Sequence, residues 1–286
     1  MKWRGRKSSS NVDDRRGSGG VGMGGIGALG GGFGIIALIV YVLMGGDPGV
    51  ILNQTQPQNP GQGSSYSQTT QEKELSDFVS VVLADTEFVW SDVFTQMDRT
   101  YQEPTLVLFS GQVQSACGVA GSSTGPFYCP ADSKVYIDLS FYKELETKFK
   151  APGDFAMAYV IAHEVGHHVQ NQLGVMNEVN GLRGRLSDKE NNELSVRLEL
   201  QADYLAGVWA KHAQSMDLLD QGDVEEALNA ANAIGDDRIQ KQTQGYVVPD
   251  SFTHGTSAQR IKWFTKGFQE GDLDQWDTFS LNEADL

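Results

Sequence analysis

The chain has 286 residues, 21% charged and 40% hydrophobic, with 33 Gly and two Cys. It is too long for a peptide hormone and too poor in cysteine for a disulfide scaffold, yet long enough for one good-sized core or two small ones. A formal net charge of −15 argues against a nucleic-acid-binding body, which needs clustered Lys and Arg facing phosphates.

The charge is uneven. Residues 1–16 hold Lys2, Arg4, Arg6, Lys7, Arg15 and Arg16 against Asp13 and Asp14, a net of +4 that leaves −19 on the remainder. Residues 17–46 carry no charge, and within them Ile26 to Met44 forms a 19-residue Gly-rich apolar run. At about 1.5 Å per helical residue that run matches the hydrocarbon core of a bilayer. The expected organisation is a basic cytoplasmic head (1–25), a transmembrane helix (26–44) in contact with lipid, a flexible linker (45–72) and a folded domain (73–286). The positive-inside rule then places the N-terminus in the cytoplasm and the domain in the periplasm or outside the cell, behind a single-pass inner-membrane anchor. A cleaved signal peptide is the rival, but Leu43-Met44-Gly45-Gly46 offers no small-x-small cleavage site. A buried core helix fits a long uncharged Gly-rich run poorly. The linker is rich in Gln, Pro, Gly, Ser and Thr and contains an Asn53-Gln54-Thr55 sequon.

Apolar spacing predicts one long or broken helix from Lys73 to Tyr101, ended by Pro104. Leu106–Phe109 and Lys134–Leu139 have strand composition. Between them, Cys117 and Cys129 flank a Gly/Pro-punctuated hairpin or loop. A disulfide between them suits an oxidising compartment; two buried thiols or a metal pair are the alternatives.

The chemistry gathers further on. Residues 154–172 read as a mostly apolar helix ended near Gly174, carrying His163-Glu164-Val165-Gly166-His167. In a helix, i and i+4 share a face, so both imidazoles can reach one zinc, with Glu164 beside them to take a proton from water. Hydrogen-bonded core histidines are the bland alternative. A second apolar helix spans 198–207, with Glu199 and Asp203 on one face. Glu199 is the candidate third ligand, and Asp203 a hydrogen-bond acceptor for a ligating histidine; a solvated carboxylate stripe is the alternative. His168, rotated about 100° from His167, should miss the metal. His212 reads as a surface residue at a helix end. Helices are also expected over 223–235 and 256–270, and the acidic tail 271–286 as a solvated extension.

HExxH followed by ExxxD is the gluzincin pattern. With the head WRGRK…NVDDRRG, the glycine-rich span, ACG…GPFYCP…VYIDL, AHEVGHHVQNQLG, SVRLELQADYLAGVWA and THGTSAQR, the chain resembles the bacterial neutral zinc metallopeptidase family. The resemblance implies a mainly α fold with a small β-sheet (α+β), a zincin-like metallopeptidase domain. It implies one Zn2+ per chain held by His163, His167 and Glu199, with Glu164 as general base and Asp203 behind the metal. It also implies an edge strand, within 105–119 or 134–139, that pairs with an extended peptide or protein substrate. His254 resembles the oxyanion-holding His of related gluzincins, but Gly255 stands where those have Pro. A loop His beside capping Thr253 and Ser257 is the equal alternative, and Arg260 orients Asp203 or a substrate carboxylate, or is a helix-surface cation. The expected function is zinc-dependent peptide hydrolysis. The alternatives are a non-catalytic zinc-stabilised scaffold of the cell envelope and a zinc hydrolase of cell-wall peptides.

Overall fold

The computed structural model of the chain describes residues 1–17, 68–183 and 185–286. The expected span 26–44, most of the linker and the Asn53 sequon lie outside these. Among the described residues, no helix is long and apolar enough to cross a membrane.

In chain order the elements are β1 (Val12–Asp14), α1 (Thr70–Gln96), β2 (Thr105–Phe109), β3 (Gln112–Ser115), β4 (Gly118–Gly121), β5 (Phe127–Cys129), β6 (Lys134–Asp138), α2 (Ser140–Thr147), α3 (Asp154–Leu173), α4 (Val175–Arg183), α5 (Asp188–Ser215), α6 (Asp223–Ala233), α7 (Asp236–Gln244) and α8 (Ser257–Glu270). The expected α+β class holds: among the described residues, helices predominate beside a four-stranded sheet and a two-stranded hairpin.

That sheet has the order β1-β2-β6-β5, parallel except for the β5–β6 pair. Leu106, Val107 and Leu108 of β2 and Val135, Tyr136 and Ile137 of β6 are all buried. Continuous apolar runs of this kind belong to strands covered on both faces. So 105–109 and 134–138 are interior strands and cannot offer a free edge. The free edge on this side is β5, with the separate β3–β4 hairpin next to it. Of the expected edge segments, only the hairpin part survives. A Cys117–Cys129 disulfide, with Cα atoms 5.9 Å apart, ties the hairpin to β5. Closing so short a loop stabilises by about 3 kcal/mol in the chain-entropy account.

Helix α3 forms the centre of the helical layer. Every residue from Phe155 to Gln170 is buried, as expected for a helix that is apolar on nearly all sides. Glu226 of α6 caps its first turn by accepting from Phe155 N–H at 3.0 Å. Gly174 ends it in the left-handed conformation, φ 91°. Helix α1 is N-capped by Thr69, whose side chain and Glu72 form a reciprocal capping box.

Two sequence expectations are corrected. The basic head is not a separate segment: β1 lies in the sheet beside β2, with Val12 opposite Leu106 and Asp14 opposite Leu108. The folded domain therefore includes residues 1–17 as well as the region from Thr70 onward. The cause is charge complementarity with the acidic remainder, together with burial; Arg6 pairs with Asp85 of α1, whose side chain is only 6% exposed. The Met1 α-amine lies 2.7 Å from Asp154 and 3.3 Å from Asp223, within a second carboxylate group that includes Glu226. The tail is not a solvated extension either. Leu273, Trp276, Phe279 and Leu281 pack on the core, and Arg197 Nη1 donates to Leu281 O at 2.9 Å.

Burial pushes the Asp85 carboxyl above its ordinary range, and Arg6 offsets this only in part. A raised carboxyl costs stability above its folded pKa, and that cost vanishes as the pH falls below the unfolded value. Arg6→Ala should therefore destabilise the protein by about 1–3 kcal/mol at neutral pH, the cost of a buried carboxylate without its partner, with some relief because Arg6 is partly exposed. The loss should shrink on acidification. Urea melts of both proteins across the acid range check this, and a pH-independent difference would refute the pairing argument.

Candidate metal centre and cavity

Three helices meet at the site because small residues let them approach. A Cβ on Gly166, inside the HExxH of α3, would stand 3.1 Å from the Ala202 carbonyl oxygen of α5. Between α5 and α8 the approach is closer: a Cβ on Gly207 would lie 2.1 Å from Phe264 O, and one on Gly267 2.0 Å from Tyr204 O. Any side chain there would force the helices apart. The contact carries Arg260, two turns before Gly267, onto Asp203, one turn before Gly207.

His163, His167 and Glu199 are brought together, with one ligand atom of each within 4.8 Å of the others. His163 Nε2 is 3.0 Å from Glu199 Oε2, and His167 Nε2 is 3.5 Å from Glu199 Oε1. Donors on a tetrahedral zinc at about 2.0–2.1 Å stand about 3.3 Å apart, so the spacing suits that ion.

The far nitrogens fix the tautomers. His163 Nδ1 is 2.9 Å from Asp203 Oδ1. Asp203 is fully buried and also accepts from Tyr159 Oη at 2.5 Å and from Arg260 Nε at 2.8 Å and Nη2 at 3.0 Å. Burial opposes its charge, but Arg260 and His163 outweigh that and bring its pKa down to about 2. An ionised carboxylate only accepts, so His163 Nδ1 is the donor and its Nε2 faces Glu199. His167 Nδ1 lies 2.8 Å from Gln170 Oε1. The Gln170 amide nitrogen is committed to Leu198 O at 2.7 Å and Gln201 Oε1 at 3.0 Å. His167 Nδ1 therefore donates as well, and its Nε2 also points at Glu199. Two ring nitrogens and a carboxylate converging in this way need a cation between them. In the chain alone a proton fills that role: burial disfavours a charged His163, but Asp203 and Glu199 lift its pKa to about 9. A zinc ion satisfies all three groups at once.

Glu164 lies beside this group. Burial raises its carboxyl, and the neighbouring His167 and His163 offset part of that. His254 faces the same cavity. Its Nδ1 is 3.3 Å from Asp236 Oδ1, while Asp236 Oδ2 accepts the backbone N–H groups of Thr253, His254 and Gly255 at 2.7, 2.7 and 3.1 Å. Asp236 thus fixes the loop that presents His254. Burial works against a charged His254, but Glu199 and Asp236 raise its pKa overall. Gly255 has φ 89°, which proline cannot adopt, so the departure from the related His-Pro pattern is built into the backbone. The cap of α8 is Thr256, not Thr253 or Ser257.

The chain matches the family described as "Putative neutral zinc metallopeptidase" over residues 1–279. It belongs to that family. It is 53% identical to the Escherichia coli (strain K12) protein YpfJ over 283 residues, 98% of this chain and 99% of that one. It is 42% identical to the Mycobacterium tuberculosis (strain H37Rv) protein Rv2575 over 261 residues, 86% of each. No solved structure matches it.

The rival ligands His168 and His212 lie elsewhere in the fold. His168 bonds Tyr128 Oη at 2.9 Å and Gln102 O at 2.6 Å, and burial brings its pKa down to about 4. His212 bonds Gly271 O at 3.0 Å. Among the described residues the group around Glu199 closes at three protein donors, whereas a closed structural zinc site takes four. Sequence reasoning missed Gln170, Tyr159 and Asp236. Gln170 stands three residues after His167 on a buried helix, which was a usable signal; Asp236 left none, being brought in by chain reversal.

A cavity of about 250 Å3 opens over these groups. Val160, Phe141, Phe149, Met176, Leu198 and Ile239 give it apolar walls, and β4 and β5 supply its rim through Gly118–Ala120 and Phe127–Tyr128.

Asp203→Asn and Gln170→Ala should each weaken zinc binding by about 10–100-fold, the usual effect of removing the partner behind a ligating histidine. His212→Ala should leave it unchanged. Chelator competition measures this, and equal affinities in all three variants would refute the assignment.

Proposed function

We propose that this chain is a zinc-dependent peptidase that hydrolyses peptide bonds, with His163, His167 and Glu199 holding the ion, one per chain. The observation that carries the reading is the three-donor group at the floor of an open cavity with Glu164 beside it. Zinc in such a site acts as a Lewis acid toward a carbonyl and makes water acidic near neutral pH.

The residues of the chain do the rest. Glu164, raised by burial, takes a proton from the attacking water at its carboxylate and delivers it to the leaving amine. His254, oriented by Asp236, donates toward the carbonyl oxygen as negative charge develops there. Asp203, kept ionised by Arg260, holds His163 in the tautomer that ligates. The free edges of β4 and β5 offer backbone groups to an extended peptide, and the apolar walls receive its side chains.

Glu164→Gln should keep its zinc and lose about 10²–10⁴-fold in peptide hydrolysis, and His254→Ala should lower kcat by about 10²–10³-fold with a smaller change in KM. Zinc content and cleavage of a peptide library, with cell-wall peptides included, measure both. Full activity in Glu164→Gln with zinc bound would sink the proposal.

A further inference from the structure

The basic N-terminal stretch touches the domain along its whole length. Lys2 N donates to Leu218 O at 2.8 Å, past the end of α5, and Ser9 N to Ser80 O at 2.9 Å on α1. Around β1, Leu106 N donates to Asn11 O and Arg15 N to Leu108 O, both at 2.8 Å. Its charges are matched as well. Lys2 pairs with Asp217 at 2.8 Å, Arg4 with Glu74, and Arg6 with Asp85. Arg15 and Arg16 pair with Asp13 and Asp14 at 2.7 and 2.6 Å. Arg16, only 6% exposed, also donates from Nη1 to Glu72 O at 3.3 Å. Arg16 therefore touches the first turn of α1.

We propose that residues 1–17 and the metallopeptidase domain lie in the same compartment, on one side of any bilayer. The hydrocarbon core of a bilayer is about 30 Å thick, roughly ten hydrogen-bond lengths, so a strand cannot pair with its sheet across it. The orientation rule reads cations near a span as free cytoplasmic charges. Here carboxylates neutralise five of them, three from the domain itself, and docking onto an acidic body accounts for their presence. This replaces the opposite-sided arrangement expected from sequence, and it does not depend on the zinc chemistry.

The test uses the full chain in its native cells, with Ser8→Cys or Gln214→Cys as single reporters. Both positions are exposed, and the native cysteines are held in the disulfide. A membrane-impermeant maleimide is applied before and after lysis. The expected result is that both reporters become reactive under the same condition. One reacting in intact cells while the other waits for lysis would overturn the proposal. A Lys2→Cys/Asp217→Cys chain should also be joined internally by a short permeant bismaleimide in intact cells, and failure to join would equally overturn it.

Discussion

The site depends on one buried carboxylate. Asp203 has no exposure, sits among three helices and stays ionised. A lone carboxylate there would cost many kcal/mol, or would neutralise itself by taking a proton. Arg260 prevents both by bonding it through two nitrogens, and the Tyr159 hydroxyl and His163 imidazole satisfy the remaining lone pairs. The charge is then passed outward: an ionised Asp203 dictates that His163 donates from Nδ1, which turns Nε2 toward Glu199. The arrangement binds α3, α5 and α8 together, and Gly207 and Gly267 permit the helix approach that makes it reachable.

The two ligating histidines are supported by different chemistry. His163 leans on a carboxylate backed by arginine, whereas His167 leans on the neutral amide of Gln170. The ionised partner makes the first imidazole a stronger donor and raises its proton affinity; the amide fixes orientation without adding charge. With Glu199 also anionic, the ion would sit nearer to charge balance than with two carboxylate-backed histidines. Burial leaves Glu164 as the carboxyl in this cluster that is raised, while Glu199 and Asp203 are lowered. Such a split marks Glu164 as the group suited to accept and release a proton.

Much of this was legible in the sequence because helical periodicity is local. The spacing of His163 to His167 and of Glu199 to Asp203 fixes which side chains share a face, and the HExxH helix ends at Gly174 as its glycine signals. The class followed from the family resemblance, and the disulfide from the Cys context. What was misread depends on contacts between distant parts of the chain. Val12-Asp13-Asp14 has no strand signal of its own and becomes β1 by pairing with Leu106–Leu108. The tail looked solvated because acidic residues are scattered through it, yet Trp276, Phe279 and Leu281 pack on the core and Arg197 donates to the Leu281 carbonyl. Interior β2 and β6 look like possible edges in the sequence because strand order is not written in either strand. Asp236, which holds the His254 loop, lies 18 residues from it.

The central claim is that three protein groups, two imidazoles and one carboxylate, hold a catalytic zinc. X-ray absorption on the zinc-loaded full chain tests it most directly. The account predicts one zinc per chain, with two imidazole nitrogens at about 2.0–2.1 Å, a carboxylate oxygen and one further oxygen that does not come from the protein. A third imidazole, a sulfur ligand, a site closed by four protein groups, or a chain that retains no zinc would contradict it.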